Sequence, residues 1–287
     1  MLRGVISKGR KADIVLIDTY STQNFYYAVA VANLCRLLRI PYVPILHGGN
    51  LPERLQNNKH LSYKLFHGAK TNVAPSPYLM DVFAAEGYEK LTYIPNTIEI
   101  AAYPFLLRNE ITPRLLWVRS FAEIYNPMLA LEVLEKLIAY YPEASLCMVG
   151  PDKDGTLEKC RVYAQEHQLP VTFTGKLSKQ EWIQRSRNFD IFINTTNFDN
   201  TPVSVIEAMA LGLPVISTRV GGIPFLIEDQ KDGLLVPPNN SELFVAAIRK
   251  LCTSRDLAQS LSTQARKKAE AFDWQKVKQH WLALLKQ

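Results

Sequence analysis

Residues Phe198 to Thr218, FDNTPVSVIEAMALGLPVIST, hold the densest set of groups in the chain that could do chemistry. Asp199 stands in a polar loop, Thr201-Pro202 opens a helix, and Glu207 follows the first acid by eight positions. The pattern predicts a helix that stops at Gly212 and gives way to a buried strand, Pro214 to Ser217. A helix start points unpaired backbone N–H groups at the loop before it and so favours an anion there. A carboxylate one to two turns inside such a helix can reach sugar or ribose hydroxyls beside that anion. Together these features suit a nucleoside-diphosphate sugar.

The elements that must position these groups appear as short apolar runs alternating with amphipathic stretches. Strand-like runs are Asp13 to Asp18, Tyr42 to Leu46, Thr71 to Ala74, Leu91 to Ile94 and Leu115 to Val118, then Ala144 to Val149, Val171 to Phe173, Asp190 to Asn194, Pro214 to Ser217 and Gly233 to Val236. Helical stretches separate nearly all of them. In Pro127 to Tyr141, for example, Leu131, Leu134, Glu135 and Ile138 fall at helical spacing. Such alternation implies parallel sheets covered on both faces, and hence an α/β protein of two doubly wound domains. The linker is expected in Asn96 to Arg114, where Pro104 and Pro113 interrupt any periodicity. Residues 1–107 would form the first domain and 108–272 the second. After a break at Phe272-Asp273-Trp274, residues 273–287 would form a helix that packs back on the first domain.

Bulk properties narrow the function classes. At 287 residues, 47% hydrophobic and 21% charged, the chain has the composition of a globular protein with room for two cores. The net charge of +6 is spread along the chain, with short clusters at Lys8-Gly9-Arg10-Lys11 and Arg266-Lys267-Lys268. Solvated surface helices explain that spread better than a nucleic-acid stripe, and a weak attraction to anionic lipid heads stays open. Cys35, Cys147, Cys160 and Cys252 lack disulfide or metal spacing and read as thiols of a reducing compartment. No run of eighteen apolar residues and no signal-peptide core is present, so the expected location is cytoplasmic, at most at the inner face of the membrane.

With the motif, the alternation and the linker assembled, the chain resembles the retaining glycosyltransferases of family 4 (group 1), which have the two-domain GT-B fold. In that family two acids separated by seven residues flank the donor loop, followed by an Ala-Met-Ala helix and a Gly-x-Pro-Val strand. Here Asp199 and Glu207 take the acid positions. The likeness continues through Gly221-Gly222 and Asp232 to Pro237, and upstream through Val73 to Ser76 and Tyr93 to Asn96.

The resemblance implies roles residue by residue. Glu207 would hold the ribose hydroxyls, against the plainer alternative of a solvated helix Glu. Asp199 would orient the transferred sugar, although the run DNTP also suits a turn or N-cap acid. The amides of Val203 and Ser204 would face the pyrophosphate, with Asn200 and Thr201 in the donor loop. Arg119, ending the first strand of the second domain, would pair with the phosphates through its fork of donors. His47, in Leu46-His47-Gly48-Gly49-Asn50, ends an apolar strand where open α/β sheets bind ligands, and would meet the donor sugar. Gly150 and Gly175-Lys176 would lie near the base.

The implied reaction is retaining transfer from a UDP- or GDP-sugar to a saccharide or lipid-linked saccharide, with no metal and no cofactor. Its main catalytic task is to stabilise the charge growing on the leaving diphosphate.

Three departures from the family pattern carry expectations of their own. Tyr125 stands where the family has a Lys six positions after the strand-end Arg. The first acid is Asp, one methylene shorter than the usual Glu. The family's opening strand, its glycine-rich loop and two further strands have no counterpart before Asp13 to Asp18, which suggests an N-terminally shortened protein with an incomplete first domain. Strand Ile14 to Ile17 would then be an open edge available for self-association. This last departure, together with Tyr125, also motivates an alternative class: a non-catalytic nucleotide-sugar-binding protein or subunit.

Overall fold

Among the described residues ten strands, all in parallel pairings, form where the apolar runs lie and make two separate sheets. The structure, a computed structural model, describes residue 4, residues 12 to 48 and residues 50 to 286. The basic cluster at residues 8–11 and Gly49 of the glycine loop lie outside the described residues. One compact unit comprises the chain up to Asn96 together with Asp199–Thr201 and Val277–Gln287; the other comprises Thr97–Phe198 and Pro202–Lys276. The changeover falls at 96/97 rather than 107/108, because Ile98 and Tyr103 are buried in the core of the second unit.

The first unit carries a sheet in the order β1 (Val15–Thr19), β2 (Tyr42–Leu46), β3 (Asn72–Ala74) and β4 (Leu91–Tyr93). Alternation along β2 places Tyr42 and Leu46 in one core, with Phe25 and Ala28 of α1 (Asn24–Leu37) and Leu65 and Phe66 of a later helix. Val43 and Ile45 face the opposite side, where Val277 and Leu284 of the C-terminal helix (Trp274–Lys286) pack. Strand β1 pairs with β2 from Val15↔Tyr42 to Thr19↔Leu46 and, among the described residues, has no strand on its other side.

The second unit has six strands: β5 (Arg114–Val118), β6 (Ser145–Val149), β7 (Val171–Gly175), β8 (Ile191–Asn194), β9 (Val215–Thr218) and β10 (Leu234–Val236). Their spatial order is β10-β9-β8-β5-β6-β7, the doubly wound arrangement in which the chain starts at the centre and reverses once. Apolar residues alternate between two cores. Leu115, Trp117, Leu146, Met148, Ile191 and Ile193 face one side, while Leu116, Cys147, Val149 and Phe192 face the other. Apart from the edge strand β7, both faces are dry, which is why these strands read in sequence as largely continuous apolar runs rather than as alternating ones.

The helix predicted from Pro127 ends at Ile138 rather than Tyr141, since Pro142 excludes helical backbone at the residue before it. Cys35, Cys147 and Cys160 are buried, and burial raises the Cys160 thiol to about 12, so it packs as a small apolar group. No helix of the described residues is long and apolar enough to cross a membrane.

Candidate functional site

The strand order creates a crevice at the carboxyl ends of β5 and β8, where the winding direction changes. A cleft of about 360 Å³ opens there, wholly within the second unit. Arg119, directly after β5, lines it together with Gly150, Lys153, Lys176, Ser204 and Glu207.

Backbone hydrogen bonds tie three neighbouring strand ends together on this face. The Arg119 amide donates to Val149 O at 3.0 Å, and the Gly150 amide donates to Gly175 O at 2.9 Å. Gly150 has φ +154°, and a Cβ added to it would stand 1.7 Å from the Arg119 carbonyl oxygen. Only a hydrogen atom fits. Gly150→Ala is therefore expected to push the Arg119 backbone away and to destabilise the protein by about 2 kcal/mol or more. A melting midpoint equal to that of the native protein would contradict this close approach.

Tyr125 has a definite place. It ends a short 3-10 turn (Glu123–Tyr125) ahead of α5 (Pro127–Ile138), and Asn126 between them takes a left-handed conformation with its side chain capping Leu129 N. The Arg119 guanidinium lies over the Tyr125 ring, 4.2 Å from its centroid. An aromatic face thus steadies the cation where the resemblance led one to expect a second positive charge.

The third wall is α8, the helix Val203–Ala210. Its N-cap is Pro202 and no side chain caps it, so its first amides keep the unpaired donors of a helix start. Asp199 therefore does not serve as the N-cap; its Oδ1 accepts from the Asn200 amide at 2.9 Å. The Ser204 hydroxyl oxygen is buried and has no hydrogen-bond partner among the described residues. A buried hydroxyl without a partner is costly unless a ligand completes it.

The far end of α8 is fixed by a Schellman motif. Leu213 N donates to Ala208 O and Gly212 N to Met209 O, with Gly212 at φ +77°. That rigid helix carries Glu207, which is only 2% exposed. Glu207 is not the solvated helix acid of the plainer alternative. Its Oε1 accepts from the Tyr103 hydroxyl at 2.6 Å and from Lys179 Nζ. Burial, and after it the Glu207 carboxylate, pushes the Tyr103 phenol far above its ordinary range, so it remains a donor.

The structure brings Arg119, Gly150, Gly175, Lys176, Val203, Ser204 and Glu207 together on one face of the second unit. Four other candidates group with the first unit. There Ser76 Oγ bonds Asn200 Oδ1, and Asn96 Nδ2 donates to Thr201 O at 2.9 Å. His47 follows β2, with its Nε2 2.9 Å from Asp18 Oδ1 and its ring stacked on Tyr20 at 5.2 Å between centroids. Sequence reading missed Tyr103, Lys153, Lys179 and Asp18. For Asp18 a signal existed, since it is the acid at the carboxyl end of strand β1, the edge where open α/β sheets bind ligands. Tyr103 lies in the aperiodic linker and offered none.

Comparison with known proteins bears on this arrangement. Residues 104–268 match the family model described as glycosyl transferases group 1. The sulfoquinovosyl transferase SQD2 of Arabidopsis thaliana is 35% identical over 150 residues, covering 50% of this chain and 28% of that protein. The amylovoran biosynthesis glycosyltransferase AmsK of Erwinia amylovora is 26% identical over 279 residues, covering 88% of this chain and 65% of that one. The chain thus spans less than two thirds of either relative. Among solved structures, Anabaena Alr3699/HepE in complex with UDP and glucose superposes with a TM-score of 0.84 at 19% identity, covering 99% of this chain and 81% of the other. At that identity the likeness establishes the fold, which is GT-B.

Proposed function

Since the chain belongs to the group 1 glycosyl transferases, we propose that it moves a hexose-type sugar, with retention at the anomeric carbon, from a nucleoside-diphosphate donor to a hydroxyl acceptor. The observation that carries this reading is the cleft of the second unit. It offers free helix-start amides, the unpartnered Ser204 hydroxyl and the Arg119 cation for a diphosphate, beside a buried carboxylate for a diol. The UDP bound in the Anabaena structure supports a nucleotide-sugar donor.

In this reading Arg119 and the start of α8 stabilise the charge that grows on the departing diphosphate. Glu207 holds the ribose, and Gly150, Gly175 and Lys176 border the base. Asn200 and Thr201 belong to the donor loop. Asp199 and His47 act on the transferred sugar, and neither metal nor cofactor is required. Membership of family 4 and a role in polysaccharide or glycolipid synthesis in the cytoplasm, on a saccharide or lipid-linked saccharide acceptor, belong to the same proposal. So do weak contact with the inner membrane face and self-association through the open strand β1.

The test is calorimetric titration with UDP and GDP, followed by incubation with the matching sugar nucleotide and saccharide acceptors. Micromolar binding and release of nucleoside diphosphate coupled to glycoside formation are expected, the product keeping the anomeric configuration of the donor by NMR. Absence of binding to either diphosphate overturns the proposal. Binding with neither release nor transfer would select a non-catalytic nucleotide-sugar binder, a reading motivated by Tyr125 in place of the second cation.

A further inference from the structure

Among the described residues that line the cleft, Glu207 is the one acid, and it is shared by two donors of different character. The Tyr103 hydroxyl is a fixed partner: the residue is 4% exposed and its O–H bond to Oε1 is 2.6 Å long. Its backbone is held in turn, since Arg266 Nη1 donates to Tyr103 O at 2.7 Å and to Ala210 O at 2.7 Å. Lys179 is a movable partner, because its side chain is 55% exposed and reaches the same Oε1 from the solvent side. Its origin is nevertheless well defined. It is the first residue of α7 (Lys179–Ser186), whose start is fixed by a capping box between Ser178 and Glu181. Its ammonium lies 6.0 Å from the ring of Trp182, a buried part of the same wall. Glu207 Oε2 has no partner among the described residues.

This arrangement leaves one carboxylate oxygen held by a buried phenol and an exposed ammonium, and the other open. A vicinal diol fits it, because each hydroxyl donates one proton and keeps lone pairs to accept another. A carboxylate by itself satisfies only the donating half of a diol. An adjacent ammonium supplies the other half, and charge-assisted bonds of both signs discriminate more strongly than either alone.

We propose that Lys179 is a second diol-recognition residue, donating to a ribose oxygen while Glu207 accepts from the ribose hydroxyls, with Tyr103 as the positioning residue that fixes the carboxylate. This rests on the nucleoside-diphosphate reading of the cleft. In the structure Lys179 rests on Glu207. When a nucleotide binds, Oε2 takes one hydroxyl proton and the ammonium turns to the neighbouring oxygen.

The test compares UDP or GDP, whichever the native protein binds, with its 2′,3′-dideoxy analogue by calorimetry, on native protein, Lys179→Met and Lys179→Arg. Native protein should prefer the ribonucleotide by about a hundredfold, the value of two charge-assisted hydrogen bonds. Lys179→Met should reduce that ratio about tenfold, entirely through weaker ribonucleotide binding, and Lys179→Arg should restore most of it. If Lys179 serves the phosphates instead, Lys179→Met will weaken both ligands equally and leave the ratio unchanged, which overturns the proposal while sparing the donor-site reading. If native protein binds neither ligand, the donor-site reading falls and this proposal with it.

Discussion

Glu207→Gln is expected to weaken nucleoside-diphosphate binding about a hundredfold, roughly 3 kcal/mol, while the protein stays folded. The substitution keeps the shape of the side chain and one acceptor oxygen, so the Tyr103 hydroxyl still has a partner. What disappears is the charge and the second acceptor, on which a diol depends. Lys179, more than half exposed, turns to water when its counter-ion is lost. Titration calorimetry on native and variant protein measures the loss, and a far-ultraviolet dichroism melt shows whether the fold is retained. Unchanged affinity in a folded variant would refute the ribose role of Glu207. His47→Ala, which alters only the first unit, should leave this affinity within about threefold of native, since single rearrangements away from a contact typically cost well under 1 kcal/mol.

Arg108→Met is expected to be the most destabilising single change outside the cleft, by about 3–5 kcal/mol, with the melting midpoint lowered by roughly 10 °C. The Arg108 side chain is 5% exposed and bonds only to groups of the second unit. Nε donates to Phe189 O at 2.7 Å, Nη2 to Ser186 O at 3.1 Å, and Nη1 to both Leu106 O and Gly212 O at 3.1 Å. Asp190, 3.6 Å from Nε, supplies the counter-charge. Burial lowers the guanidinium to about 10, against the opposing pull of Asp190, so it stays charged at neutral pH. Methionine fills much of the volume but removes these four hydrogen bonds to carbonyl oxygens in a dry interior, and only Ser186 O is shown with a second donor, the Phe189 amide. Arg108 thereby joins the linker, the end of α7 and the glycine that terminates α8, elements that hold Lys179 and Glu207. A denaturant midpoint within experimental error of native would show that these bonds contribute nothing to stability.

The ten strands of the described residues stand where apolar runs of the right length occur; for the inner strands of the second unit the reason is burial on both faces, which favours apolar residues at every position. Their boundaries moved by a residue or two, as they do when pairing partners rather than local composition end a ladder. The stop of α8 was legible in Gly212, since a left-handed residue closing a Schellman motif is most cheaply a glycine. The helix start was read less well. Thr201-Pro202 marked it, but the run DNTP suggested a capping aspartate, whereas Pro202 is the N-cap and Asp199 bonds its own neighbour's amide. Local propensity names candidates for a cap; the direction of the incoming chain decides among them.

The sequence by itself determined the class of fold, the position of every strand and the carboxylate at Glu207, because hydrophobic period and helix stop signals are properties of neighbouring residues. Only the tertiary structure decided what surrounds that carboxylate. Tyr103 lies 104 positions from Glu207 and Lys179 lies 28, and nothing in either local sequence marks them as partners. The two meet because the winding of the sheet brings the linker and the start of α7 to opposite sides of one buried oxygen. A charge removed from water needs partners wherever the fold can deliver them, and that need is met by spatial neighbours rather than by neighbours in the chain.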